Sequence, residues 1–151
     1  MTGRLVEFEE FIGKCRKALS EQVNGHTESF QALWSHGDDV VLMGAAGSHA
    51  VGWEKVSASL AWASAQLDFT DWHVENLFTS VDDTLACTCD LEHMSHHIGG
   101  EVQQRTLRAT QGYRFENGEW RVVFRHGDPM AERVTPPGLA GGSSARSPET
   151  T

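Results

Sequence analysis

Residues 107–129 read Leu-Arg-Ala-Thr-Gln-Gly-Tyr-Arg-Phe-Glu-Asn-Gly-Glu-Trp-Arg-Val-Val-Phe-Arg-His-Gly-Asp-Pro, two alternating runs divided by Asn117-Gly118. Alternation of polar and apolar side chains is the period of a strand half-buried against a core. Asn-Gly tolerates the positive φ that both central residues of a tight hairpin turn must adopt. The two runs therefore read as a β-hairpin. Plain pairing across the turn sets Phe115 opposite Trp120, Tyr113 opposite Val122 and Gln111 opposite Phe124. In that register Arg108, Arg114, Arg121 and Arg125 gather on the other face near Thr110. A bulge in the second strand would turn Arg125 to the opposite side.

Working outward, the period of two persists near residues 72–80, 84–97, 103–116 and 119–127, which predicts four strands. Asp82-Asp83 and Ile98-Gly99-Gly100-Glu101 supply the other turns. Upstream the period changes. Val6, Phe8, Phe11, Ile12, Cys15, Leu19 and Val23 recur every two to four residues, predicting an amphipathic helix over 5–23 that Asn24-Gly25 stops. A short helix near 27–35 carries Phe30, Leu33 and Trp34, and a buried strand follows at Val40–Met43. A third helix over 53–67 turns Trp53, Val56, Leu60 and Ala63 or Ser64 inward.

Helices first and an antiparallel meander last make an α+β chain. A strongly curved, mostly antiparallel sheet with three helices on its concave side encloses one apolar pocket. That domain occupies residues 1–130. The tail, 131–151, with Pro136-Pro137, Gly141-Gly142 and Ser143-Ser144, has too few apolar residues to pack and is expected to be disordered.

The chain's 151 residues suit a single domain, and 39% hydrophobic with 22% charged residues is an ordinary globular balance. A net charge of −9 with no dense basic cluster argues against nucleic acid as a partner. No apolar run is long enough to span a bilayer, and the N-terminus lacks a basic-then-apolar signal pattern, so no membrane partner and a cytoplasmic location are expected. Cys15, Cys87 and Cys89 do not make a disulfide framework and read as reduced thiols.

The segments Leu107–Thr110, Tyr113–Val123 and Arg125–Pro129, with Gly44-Ala45-Ala46-Gly47 and Gly52, resemble the NTF2-like superfamily and within it the SnoaL-like domains. The resemblance covers about residues 5–130 and implies a cone-shaped, pocket-forming fold. It does not imply one activity, because this fold hosts isomerases, hydrolases, cyclases, dehydratases and assembly domains. The positions matching the base and the two donors of ketosteroid isomerases are Gly44, Ala18 and Gln111, none of which can do that chemistry. Against the two carboxylates of the fold's epoxide hydrolases stand Glu92 and Arg125, the second with the wrong charge. The arginine-lined pocket of the kinase association domains is not reproduced, since Gln111 and Gly127 fall there. Phe124 stands where many SnoaL-like relatives carry histidine.

Candidate chemistry then rests on few residues. Glu92, if it faces the pocket, suits general acid or base work, although alternation gives the apolar face to Leu85, Cys87, Cys89 and Leu91 instead. Arg125 and His126 complete the catalytic candidates, and Asp128 is placed to orient His126. Trp34, Met43, Trp53, Gln111, Tyr113 and Asp128 are the substrate-binding candidates, with Trp34 expected at the pocket mouth. No metal site is expected, because Cys87, Cys89, His93 and His97 would be strung along one strand edge rather than converge on a point. No cofactor is expected either, since no Gly-rich phosphate loop with its lysine is present. Two readings remain open. One is a cofactor-independent isomerase, cyclase or hydrolase of a hydrophobic, oxygenated metabolite such as a polyketide or steroid. The other is a non-enzymatic, dimer-forming domain that binds a ligand or partner. A hydrophobic small molecule and a second copy of the chain are the expected partners.

Overall fold

A computed structural model describes residues 2–130 and the isolated Pro137. Apart from that proline, the segment expected to be disordered lies outside the described residues. Helix α1 spans Thr2–Gln22 and α2 spans Glu28–Ala32. Short strands β1 (Val41–Met43) and β2 (His49–Val51) precede α3 (Trp53–Ala65). Four long strands close the domain: β3 (Thr70–Val81), β4 (Leu85–Ile98), β5 (Glu101–Glu116) and β6 (Glu119–Pro129).

The six strands form one sheet in the order β2-β1-β6-β5-β4-β3, curled but not closed. Only β1 beside β6 is parallel; every other pair is antiparallel. The β5–β6 turn has positive φ at both Asn117 (51°) and Gly118 (80°), as its sequence requires. The three-residue β2 is the element that the sequence reading lacks, being too short to show a period.

The helices cover the concave face. Phe8 and Phe11 of α1 set their edges against Tyr113 at centroid distances of 5.1 and 5.9 Å, and Phe8 meets Trp120 at 5.2 Å. Val56 and Leu60 of α3 join the same core. Among the described residues no helix is long and apolar enough to cross a membrane.

Two expectations about strand faces need correction. On β4 the inward row is Ala86, Thr88, Glu92 and Met94, all buried, while Leu85 is exposed and Cys87 and Cys89 are half-buried. The more apolar row thus faces outward, because the helices lie on the other side and burial follows their position. On β6 the register slips by one: Tyr113 pairs with Val122, but Gly112 pairs with Phe124 and Gln111 with Arg125. Val123 is the extra residue of a β-bulge, and beyond it the inward residues are Arg125 and Gly127 rather than Phe124 and His126. Phe124 lies over Gly112, where any Cβ would run into its ring.

Candidate functional site

The bulge puts Arg125 in a row that crosses four strands. Thr88 of β4, Gln111 of β5, Arg125 of β6 and Leu42 of β1 are successive partners, all buried. The next row toward the open end is Asp90, Ala109 and Gly127. Ala109 and Gly127 are small. A long arginine side chain can therefore pass over them, and the Nη2 of Arg125 lies 3.8 Å from where a Cβ of Gly127 would sit.

The guanidinium ends on Glu92. Nη1 donates to Glu92 Oε2 at 2.8 Å and Nη2 to Oε1 at 2.7 Å, a two-pronged ion pair with Glu92 1% and Arg125 8% exposed. Burial alone would favour a neutral guanidine; the facing Glu92 carboxylate more than offsets this and holds Arg125 above its ordinary range.

The polar chain continues inward. Arg125 Nη1 also donates to Gln111 Oε1 at 2.8 Å, and Gln111 Nε2 donates to Tyr113 Oη at 2.7 Å. Tyr113 Oη and Thr88 Oγ1 are hydrogen-bonded at 2.8 Å. Because the arginine occupies the carbonyl end of Gln111, its amide end is fixed toward the tyrosine. Burial pushes the Tyr113 phenol well up, so its hydroxyl acts as a neutral donor and acceptor. The Cys15 thiol on α1 is likewise pushed up by burial, partly offset by Arg125. Asp90 is also raised by burial, partly offset by a 2.6 Å hydrogen bond from Asn76.

Above this floor lies a cavity of about 520 Å³ between the end of α1, α3, β1 and the loop after it. Its walls are mainly apolar, with Leu19, Val23, Phe30, Leu42, Leu60 and Leu107 among them. Arg125 is the one charged side chain on the wall, among the described residues. Glu92 does not line it; the carboxylate sits behind the guanidinium. Gln22 of α1 borders the cavity with Nε2 given to the Leu60 carbonyl at 2.8 Å, and its buried Oε1 has no partner among the described residues.

A family model for the SnoaL-like domain matches residues 16–132. The chain belongs to that family. Solved structures carry the same fold. One is a candidate dehydratase of the NTF2-like family from Streptomyces avermitilis, 16% identical, with TM-score 0.71 over 86% of this chain and 99% of that one. A candidate calcium/calmodulin-dependent protein kinase type II association domain from Thiobacillus denitrificans is 22% identical, with TM-score 0.68 over 82% and 94%. A ketosteroid isomerase-like protein from Erwinia carotovora atroseptica is 17% identical, with TM-score 0.67 over 87% and 99%. No curated protein matches the sequence. At these identities the likeness is one of fold.

Within this SnoaL-like domain the residues singled out from sequence divide into two groups. Glu92, Arg125, Gln111 and Tyr113 come together on the floor, and Met43 lines the cavity. Trp34 packs in the core at 6.0 Å from Phe30, and Trp53 stacks on His36 at 4.0 Å; neither lines the cavity. His126 and Asp128 lie on the convex side, where Asp128 is held by Arg108 at 2.6 and 2.8 Å rather than by His126. Arg114 and Arg121 also find partners within the chain, Arg114 at Asp39 and Glu116, Arg121 at the Ala32 carbonyl and Glu119. His93 lies near His73 and Thr106 on the convex face, and His96 pairs with Asp68 at 2.8 Å. The sequence reading passes over Gln22 and the α3 wall. The available signal for Gln22 is one polar residue set between Leu19 and Val23 in an apolar helix stripe.

Proposed function

We propose that this SnoaL-like domain binds a hydrophobic, oxygen-bearing small molecule in the cavity, with Arg125 at its polar end. The carrying observation is an apolar cavity of about 520 Å³ whose wall holds a single charged side chain among the described residues. Pockets for small molecules run from about 300 to 1,000 Å³ and place a few polar groups in mainly apolar walls. An arginine fixed from behind by Glu92 and Gln111 offers N–H donors with little reorganisation, which suits a carbonyl oxygen or an oxyanion developing from it. Any chemistry would then be cofactor-independent isomerisation, cyclisation or hydrolysis driven by polarisation at Arg125. Glu92, with both oxygens engaged, serves as the counter-ion in this reading.

The test is ligand binding followed by calorimetry against hydrophobic ketones and lactones, on the native chain and on Ala63→Phe, which projects a ring into the cavity from α3 and fills part of it. Saturable binding that the filled variant loses, with its far-UV circular dichroism unchanged, is the expected result. Equal binding by both proteins places the ligand elsewhere and sinks the proposal.

A homodimer through the convex sheet belongs to the same reading. Phe78, Leu85 and Val102 expose apolar side chains on the convex face of β3, β4 and β5, more than a solitary sheet face needs. Sedimentation velocity on the native chain and on Leu85→Lys should show a dimer for the first and a monomer for the second.

A further inference from the structure

We propose that the cavity selects an uncharged ligand, one that offers an acceptor oxygen to Arg125 and a donor group, such as a hydroxyl, to Gln22. This rests on the reading of the cavity as a ligand site and specifies the chemistry that the site takes.

The arginine end sets the charge. A guanidinium has five N–H groups. Two on Nη1 go to Glu92 and Gln111, and one on Nη2 goes to Glu92, so one Nη2 proton and the Nε proton have no acceptor among the described residues. Those free donors ask for an oxygen. They do not ask for a negative charge, because Glu92 already neutralises the guanidinium in two-pronged contact. Asp90, half-buried one row away, adds a further carboxyl on the same face. A ligand carboxylate would bring a second anion against a pair that is already neutral, beside mainly apolar walls that weaken solvent screening, where like charges repel. A ketone, lactone or ester oxygen accepts the same hydrogen bonds and brings no such repulsion.

The glutamine end sets the second contact. Gln22 is 5% exposed, and its orientation is fixed because Nε2 donates to the Leu60 carbonyl. Its Oε1 is thereby left as a buried acceptor without a donor, a state that folded proteins rarely leave unresolved. The residue borders the same cavity as Arg125, and a ligand hydroxyl that reaches past the wall to Oε1 would supply the missing donor. The wall between them is mainly apolar.

Three bicyclic probes test this by isothermal titration calorimetry at pH 7.5: hydroxytetralone, tetralone without the hydroxyl, and the corresponding hydroxytetralin carboxylate. The native protein should bind hydroxytetralone at least about tenfold tighter than the carboxylate, and several-fold tighter than tetralone. Gln22→Leu should erase the advantage of hydroxytetralone over tetralone while tetralone binding persists. Glu92→Gln keeps the shape and leaves Arg125 uncompensated, so the preference should move toward the carboxylate by about tenfold. Carboxylate binding as tight as ketone binding in the native protein overturns the charge selection, and that comparison stands even if Glu92→Gln fails to fold. A hydroxyl advantage that survives Gln22→Leu overturns the Gln22 contact. If none of the three probes binds at concentrations on the order of 1 mM, while the lactone and ketone panel does bind and Ala63→Phe abolishes it, only this selection rule falls. If nothing binds in the cavity at all, the ligand-site reading falls with it.

Discussion

Cutting the Glu92–Arg125 pair from either side should cost different amounts. Arg125→Met removes the only side-chain partner, among the described residues, of a carboxylate that is 1% exposed and does not reach the cavity. It also strips Gln111 Oε1 of its donor. Breaking a buried pair from one side costs about 3–5 kcal/mol, and the orphaned glutamine acceptor adds about 1 kcal/mol. At about 4 °C per kcal/mol for a domain of this size, the melting temperature should fall by roughly 15–25 °C. Glu92→Leu leaves a guanidinium that borders the cavity, where water can reach it, so its cost should sit at or below about 3 kcal/mol. The double variant Glu92→Leu/Arg125→Met removes both charges and should recover most of the loss, since apolar replacement of a buried pair is often neutral or stabilising. Urea denaturation of the four proteins gives the coupling energy directly. Two single variants that each cost under about 1 kcal/mol and add in the double would refute the pairing of these side chains in a water-poor floor.

Three further outcomes follow from neighbouring groups. Gly112→Ala drives a methyl into the Phe124 ring, so it should destabilise by about 1–3 kcal/mol in urea denaturation, with partial recovery in Gly112→Ala/Phe124→Ala. Asp90 has a carboxyl raised by burial. A raised folded value means that its relative contribution is best below the unfolded value and declines as pH rises through the folded one. Asp90→Asn should therefore be no more stable than the native chain near pH 3 and increasingly more stable above about pH 4, read as melting temperature against pH. Cys15 is buried and its thiol is pushed up by that burial, whereas Cys87 and Cys89 are only half-buried. Of the three thiols, a thiol reagent should label two in the folded protein and the third only on unfolding.

The closing hairpin was legible because Asn117-Gly118 carries its own backbone geometry and because strand period survives any tertiary context. The same holds for most of α1, whose Phe8, Phe11, Cys15, Leu19 and Val23 are buried as their spacing predicts, whereas Ile12 is half-buried and Val6 is exposed. What period cannot supply is the side on which the helices lie. The β4 rows were correctly separated, but the more apolar row, with Leu85 and Cys87, faces outward, because α1 covers the row that holds Thr88 and Glu92. Site legibility followed the same division. Glu92, Gln111, Tyr113 and Arg125 were all singled out as residues, yet their joining depends on a register slip that alternation alone does not reveal. The trace of that slip was local and readable: Val122-Val123-Phe124 places three apolar residues in succession, and Gly112 lies opposite as the only residue that leaves room for a ring.

That slip also bears on which chemistry the floor supports. Without the extra residue at Val123, Phe124 would point inward opposite Gln111 and Arg125 would join Arg108 on the convex face. Glu92 would then be a lone carboxyl in an apolar cone, the environment that raises a carboxyl's affinity for protons and equips it as an acid or base. With the bulge, the same glutamate has both oxygens bound by Arg125 and stands behind it relative to the cavity. A ligand in the cavity meets the guanidinium first, and a proton leaving that ligand would have to pass the arginine to reach the carboxylate. For a reaction of the ligand proposed above, polarisation by Arg125 would be the shorter route than proton abstraction by Glu92, whose carboxylate holds the arginine in place and cancels its charge.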